Sequence, residues 1–316
     1  MSVVKSNAHQ VGQSVTATNN MTWYQPATPD GTVRLGVGNA GATTADVITA
    51  SSTGIAVPSM SSANTFGFKN RLIDAGFIIN QRGYTSGTAL SSGSYAHDRW
   101  KAGSSGCTYT FTQGSNGVPI TITITAGALQ QVIEGCNVAE GGTYTLSWQG
   151  TAQASINGGA ASASPLTVTG VTAGANMTIQ FNTGTVYEPQ LEVGSATTSF
   201  DFRAYGTELA LCQRYFEIVA DTSNYANSFM IARMDGAASA LGVFQFRVNK
   251  RASASITISG SATLYFNSTS QVVTSYGSSA GSGGGRLQFM ALSGGAINTA
   301  AHADIGSLSL TASAEL

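Results

Sequence analysis

The feature that most constrains this chain is the alternation of apolar residues with Thr or Ser at a period of two, repeated in short runs along most of its length. "PITITITAG" is the clearest run: Ile120, Ile122 and Ile124 share one face of an extended strand, and Thr121, Thr123 and Thr125 share the other. Successive side chains of a strand point to opposite faces, so the pattern predicts strands with one buried side. "CTYTFTQ", "GTYTLSWQG", "LTVTGVTAG" and "MTIQFNTG" follow the same rule, with Tyr109, Phe111, Tyr144, Leu146 and Trp148 turned inward. It resumes in "SFMIARM", "GVFQFRVNK", "SASITISG", "TLYFNS", "RLQFMAL" and "SLSLTASAEL". The expected fold class is all-β: tandem β-sandwich (jelly-roll) domains, a strand-rich N-terminal segment and one short connector helix.

Boundaries follow from where the pattern changes. Residues 1–69 carry "TVRLGVGN", "ADVITASS" and "GIAVPSM", too thin in apolar residues for an independent core. Residues 70–203 form the first sandwich and 218–316 the second, with a connector over 204–217. In the connector, Thr207 is the expected N-cap, with Glu208 in the first turn. Leu209, Cys212 and Phe216, spaced i, i+3 and i+7, form the expected apolar stripe.

The outward faces carry hydroxyls where most soluble proteins carry Lys and Glu. Only 9% of residues are charged, against roughly 25% in ordinary soluble domains. Strand edges without charges are open to pairing with other chains, and a defined homo-oligomer is one way to cover them. Fourteen Lys and Arg against fifteen Asp and Glu leave a formal net charge of −1, which gives no large basic patch for nucleic acid or an acidic membrane. No run approaches the roughly 20 apolar residues that span a bilayer, so membrane insertion is not expected. "MSVVKSNAHQVGQS" lacks a signal-peptide core, which points to synthesis in a cytosol without secretion. Cys107, Cys136 and Cys212 are an odd number without CxxC spacing, and no metal or cofactor site is expected from them.

Catalytic constellations are thin. "GVGNAG" (36–41) matches a dinucleotide-binding glycine pattern but is followed by the β-branched "ATTADVITASST", which suits a Gly-rich hairpin better. His9, His97 and His302 lie in three different regions, and no HExxH or GxSxG is present. Glu188 and Glu192, four apart on an extended strand, stand about 13 Å apart, beyond the roughly 5–9.5 Å of paired glycosidase carboxylates. The expected polar face Glu188, Gln190 and Glu192, opposite Tyr187, Pro189, Leu191 and Val193, suits binding of sugar hydroxyls better. Tyr95 and Trp100 are candidate stacking rings beside it, against the alternative that Trp100 is a packed ring. "SSAGSGGGR" (278–286) is expected to be a mobile loop tip, where Arg286 with Tyr276 would meet a ligand.

Two motifs carry a resemblance. "NRLIDAGFIINQRGYTSG…SYAHDRWKAG" resembles the opening of a jelly-roll, carbohydrate-binding-module-like domain found in bacteriophage tail-fibre and receptor-binding proteins. "PQLEVGSATTSF" resembles that domain's last strand, and "FRAYGTELALCQRYFE" the connector that follows it. Where that family usually has Asn-Gly-Asp-Phe, this chain has Asp74-Ala75-Gly76-Phe77. The resemblance implies a homotrimeric virion tail fibre or tail-tip adhesin, made in the host cytoplasm. Its N-terminal strands would attach to a tail, baseplate or capsid protein, and it would bind a host surface polysaccharide multivalently and without catalysis. The alternatives are a structural virion protein, such as a head fibre or decoration protein, and a polysaccharide-degrading tailspike.

Overall fold

The computed structural model describes residues 8–39, 42–52, 54–56, 68–114, 117–222 and 228–316. Strands dominate, with one α-helix among the described residues. The N-terminal strands β1 (Ala8–Val11), β2 (Met21–Tyr24), β3 (Val33–Asn39), β4 (Ala42–Ser51) and β5 (Gly54–Ala56) form one antiparallel meander in sequence order. β3 and β4 pair as the two arms of a hairpin flanking residues 40–41, as the glycine-rich run predicts; residues 40–41 themselves, and the end of "GIAVPSM", lie outside the described residues. This sheet contributes nothing to the three buried apolar clusters found among the described residues. Polar groups hold it instead: buried Asn20 donates to Asn39 Oδ1 and to the Ser14 carbonyl, and buried Thr22 donates to the Gly38 carbonyl.

The first sandwich contains β6 (Lys101–Phe111), β7 (Ile122–Ile133), β8 (Gly142–Gln149), β9 (Ala154–Ile156), β10 (Leu166–Val171), β11 (Met177–Phe181) and β12 (Gly184–Val193). β12 joins the two sides of the structure: its first residues pair with β7 and its last with β8. The inward residues are the ones alternation marks. Ile122, Ile124, Tyr109, Tyr144, Leu146 and Trp148 pack with Phe77, Trp100 and Phe181 in one cluster, whereas Phe111 only lines its edge. β6 and β7 shift register where Gly127, at φ +69°, approaches Gly106 so closely that a Cβ would lie 2.1 Å from its carbonyl oxygen. Only glycine fits there.

The connector departs from expectation at both ends. α1 (Tyr205–Gln213) begins two residues before Thr207, and Ala204 at its N-cap position has no capping side chain. Glu208 anchors the helix instead: its carboxylate pairs with Arg203 at 2.8 Å and accepts the backbone N–H of Asp74. Cys212 is fully buried beside Ile73, Ile79 and Tyr215, with Leu209 half-buried against them. Burial holds its thiol well above the ordinary range, so it is no reactive cysteine. Phe216 is not on the helix; it opens the next strand beneath the Arg82 guanidinium, which lies 3.7 Å from its ring centroid.

In the second sandwich, β13 (Phe216–Ala220), β14 (Ser228–Met234), β15 (Ala240–Gln245), β16 (Ser255–Ser259), β17 (Ala262–Phe266) and β18 (Thr269–Val273) are followed by β19 (Tyr276–Ala280), β20 (Gly284–Phe289), β21 (Ala300–Asp304) and β22 (Ser309–Ser313). A three-stranded sheet, β13-β22-β16, covers the inner face of a seven-stranded sheet, β18-β17-β21-β14-β15-β20-β19. "SSAGSGGGR" is therefore no free loop, because its two ends lie in the paired strands β19 and β20.

Charged side chains join the two sandwiches. Glu315, after β22, reaches Arg82 (2.9 Å) and Arg99 of the first sandwich. Glu134, just after β7, accepts Arg214 (3.1 Å) and the Tyr215 hydroxyl (2.8 Å) and forms an ion pair with Arg251 at 3.6 Å.

Candidate functional site

The site grows from a flaw in the alternation of β12. Val186 and Leu191 are both fully buried although they lie an odd number of residues apart, so one extra residue must be inserted between them. The register confirms it: Tyr187 faces Gln149, but Gln190 already faces Ser147. Glu188 takes up the insertion with φ +49°, a left-handed conformation in which a non-glycine residue is strained. Such bulges re-aim side chains. Asn70, first residue of the "NRLIDAGF" motif, pins the bulge: its amide donates to the Pro189 carbonyl (3.1 Å), and its oxygen accepts from Leu191 N (3.0 Å).

Beyond the bulge the expected polar face is covered. Gln190 and Glu192 are 1% and 4% exposed because the segment 194–201 folds back over them. Gln190 donates to Glu192 (3.0 Å) and accepts from Asp201 N (2.7 Å), while Glu192 accepts from the Thr198 backbone N–H (2.9 Å) and hydroxyl (2.7 Å). Both residues are framework. Val193, expected on the same face as Leu191, is exposed instead, and the strand ends there.

Glu188 stays accessible, and its carboxylate accepts Gln149 Nε2 at 3.0 Å. These two, with Ser147, Gln190, Thr197, Thr198, Ser199, Trp148 and Phe200, line a cleft of about 240 Å3. Its rim presents hydroxyls, an amide and a carboxylate above a half-buried phenyl ring. Glu188 is the only carboxylate among these lining residues. Cavities that enclose drug-sized ligands hold roughly 300–1,000 Å3; this one is open and shallow, and suits a partly exposed segment of a chain ligand.

The other candidates lie elsewhere. Trp100 is fully buried, donates its indole N–H to the Asp74 carbonyl (2.9 Å) and packs against Phe77; it is a core ring and cannot stack on a sugar. Tyr95 spends its hydroxyl on the Leu316 carbonyl (2.6 Å) at the joint between the sandwiches. Tyr276 turns inward, edge-on to Phe289, and its hydroxyl is bonded to Val273 O and Ala262 N. Arg286 points outward from the neighbouring strand, so the two residues cannot meet one ligand.

A second cleft, about 320 Å3, opens at the edge of the second sandwich, but its carboxylate, Glu217, is taken by Lys250 (2.5 Å) and Arg247 (3.1 Å). Among the described residues no cluster of three His, Cys, Asp or Glu could hold a metal ion, and no helix is long and apolar enough to cross a membrane. No protein-family model and no curated protein matches this chain.

Proposed function

We propose that this protein is a bacteriophage virion adhesin, a tail fibre or tail-tip protein that binds a host surface polysaccharide without catalysis and acts as a homotrimer. The observation that carries the proposal is the open cleft at the β12 bulge. There Glu188, Gln149 and a rim of Ser and Thr hydroxyls face solvent from a rigid sandwich, the donor and acceptor set that sugar hydroxyls require. One carboxylate in the cleft favours binding over hydrolysis, which calls for two. Shallow sites of this kind are weak singly, and several copies on one particle raise avidity by orders of magnitude. The N-terminal sheet, held by polar contacts and without an apolar cluster of its own among the described residues, is suited to docking on a tail, baseplate or capsid protein.

The test is an array of bacterial surface polysaccharides probed with the full chain and with Glu188→Ala and Gln149→Ala. At least one polysaccharide should bind, with affinity reduced about tenfold in either variant, the loss of about one charge-assisted hydrogen bond. No binding across the array would favour a structural virion protein. Release of reducing ends from a bound polysaccharide would make the protein a depolymerase instead.

A further inference from the structure

The hairpin between β17 and β18 turns in two residues, Asn267 and Ser268, with Phe266 and Thr269 as the last pair of the ladder. Both turn residues have positive φ, +48° and +58°, as in the tight hairpin turn for which Asn-Gly is the unstrained pair. Asparagine tolerates that conformation; serine adopts it only with strain. Glycine would relieve the strain, and what the chain keeps instead is a hydroxyl. Strain of this kind gathers at ligand sites.

Ser268 lines a third cleft, about 470 Å3, on the outer face of the seven-stranded sheet. It is larger than the bulge cleft and falls within the roughly 300–1,000 Å3 of ligand pockets. Tyr265 and His302, opposite each other in register, stack with ring centroids 4.9 Å apart and planes 7° from parallel. His302 covers one face of Tyr265 from the β21 side. The face left open is the one toward β18, where the register sets only a serine, Ser270, opposite the ring. Ala300 lies one residue beyond the Phe266–Ala301 pair, level with the turn, and its small side chain leaves the cleft open there.

The polar side chains around this ring are unpartnered. Among the described residues, no hydrogen bond is made by the Tyr265 hydroxyl, the His302 ring nitrogens, the Asn267 amide or the hydroxyls of Ser268 and Ser270. No Lys, Arg, Asp or Glu lines the cleft, and Arg233, opposite Ala300 on the neighbouring strand, gives its guanidinium to Asn298 Oδ1 at 2.7 Å. A phosphate would find no cation among the lining residues, and a metal ion no carboxylate. An open aromatic face ringed by an amide and hydroxyls, without charge, matches a sugar: the apolar face of the pyranose lies on the ring and its hydroxyls meet the polar groups.

We propose that the Tyr265–His302 cleft is a second saccharide site, in which an uncharged sugar ring stacks on Tyr265 while Asn267, Ser268 and Ser270 hydrogen-bond its hydroxyls. The sugar class is read from this cleft alone and does not depend on the bulge cleft of the first sandwich. Two sites on one chain hold a polysaccharide at two points, so that the second contact is made at the effective concentration set by the first.

Saturation-transfer NMR of the full chain with neutral methyl pyranosides (glucoside, galactoside, mannoside and N-acetylglucosaminide), run beside the polysaccharide array, tests this. At least one pyranoside should bind and keep binding in Glu188→Ala. In that background Tyr265→Ala should lower its affinity about tenfold, the size of one aromatic stacking contact, with unchanged circular dichroism, and Tyr265→Trp should retain it. Ser268→Gly should weaken binding about threefold, the loss of one hydrogen bond, while its melting temperature stays level or rises, a combination that a purely structural serine would not give. Failure of every pyranoside to bind, or affinity untouched by Tyr265→Ala, overturns the inference. In either case, polysaccharide binding that is lost in Glu188→Ala leaves the adhesin proposal standing at the bulge cleft. Binding lost in Tyr265→Ala but intact in Glu188→Ala and Gln149→Ala supports this site and removes the bulge cleft from glycan recognition.

Discussion

The guanidinium of Arg99 lies 3.6 Å from the ring centroid of Tyr215, and the same side chain bonds Glu315 and the Val132 carbonyl. Arg99 belongs to the first sandwich, Tyr215 follows the connector helix and Glu315 follows the last strand of the second. One side chain, 1% exposed, thus ties together three parts of the chain that are distant in sequence. It also explains why "HDRW" is rich in charge within so uncharged a sequence. Asp98 and Arg99 serve a buried joint, and His97 packs among Phe77, Tyr84, Tyr109 and Phe111 inside the first sandwich.

Removing the carboxylate at this joint leaves a buried guanidinium uncompensated. Glu315→Ala is expected to cost about 3–5 kcal/mol, with Arg82 losing its 2.9 Å partner as well. Because the joint couples the two sandwiches, calorimetry should resolve one unfolding transition of the wild type into two. Arg99→Met/Glu315→Met should recover only part of the loss, since Arg99 is then no longer stranded but Arg82 is left with Asp98 at 3.5 Å as its one carboxylate.

Trp100→Ala distinguishes a core ring from a binding ring. Truncating a fully buried tryptophan costs about 3–5 kcal/mol, and here it also takes from the Asp74 carbonyl one of its two donors, leaving the Phe77 N–H at 3.1 Å. Denaturant unfolding should show this loss. Polysaccharide affinity, measured well below the melting temperature, should stay within twofold of wild type.

The strands were legible because alternation is local: Ile122 and Ile124 or Tyr144 and Leu146 declare their face without reference to anything distant. The cleft was legible only in part. Glu188 was visible as a carboxylate on a polar strand, but its partner Gln149 lies on another strand, and the bulge that exposes Glu188 is pinned by Asn70 more than a hundred residues earlier. The signal that would have revealed the bulge is the run Pro189, Gln190, Leu191, Glu192, where a proline interrupts a strand. Thr207 looked like a helix cap by residue type, yet the helix start is fixed by buried Glu208, which pairs with Arg203 and accepts the N–H of Asp74, 134 residues earlier.

Glu188 and Gln190, two apart in sequence, are expected to respond to substitution in opposite ways. Gln190→Ala removes the amide that holds the returning segment through Asp201 N and Glu192, and strands those buried partners. It should lower stability by about 1–3 kcal/mol. Glu188→Ala removes an accessible carboxylate and relaxes no buried group, so its melting temperature should stay within about 1–2 °C of wild type. Differential scanning fluorimetry of the pair, run beside their polysaccharide affinities, checks both halves.

Two buried neighbours, Asp98 at the joint and His97 among the rings of the first sandwich, pull the pH dependence of stability in opposite directions. Burial raises the Asp98 carboxyl to about 6, with Arg82 at 3.5 Å opposing the shift. Burial lowers His97 to about 4. In the unfolded chain the two titrate near about 3.9 and 6.5. Folded Asp98 holds its proton more tightly than unfolded Asp98, so its contribution is complete below about pH 4 and is lost as pH rises through about 6. Folded His97 resists protonation, so its contribution is complete above about pH 6.5 and is lost as pH falls toward about 4. Over this window the two largely cancel in the wild type. Asp98→Asn removes one side of the balance, and urea unfolding should then show stability falling on acidification from pH 6.5 to 4 by up to about 3 kcal/mol more than in the wild type. His97→Asn should show the reverse slope. Parallel pH profiles for the wild type and both variants would show that neither group titrates in this window.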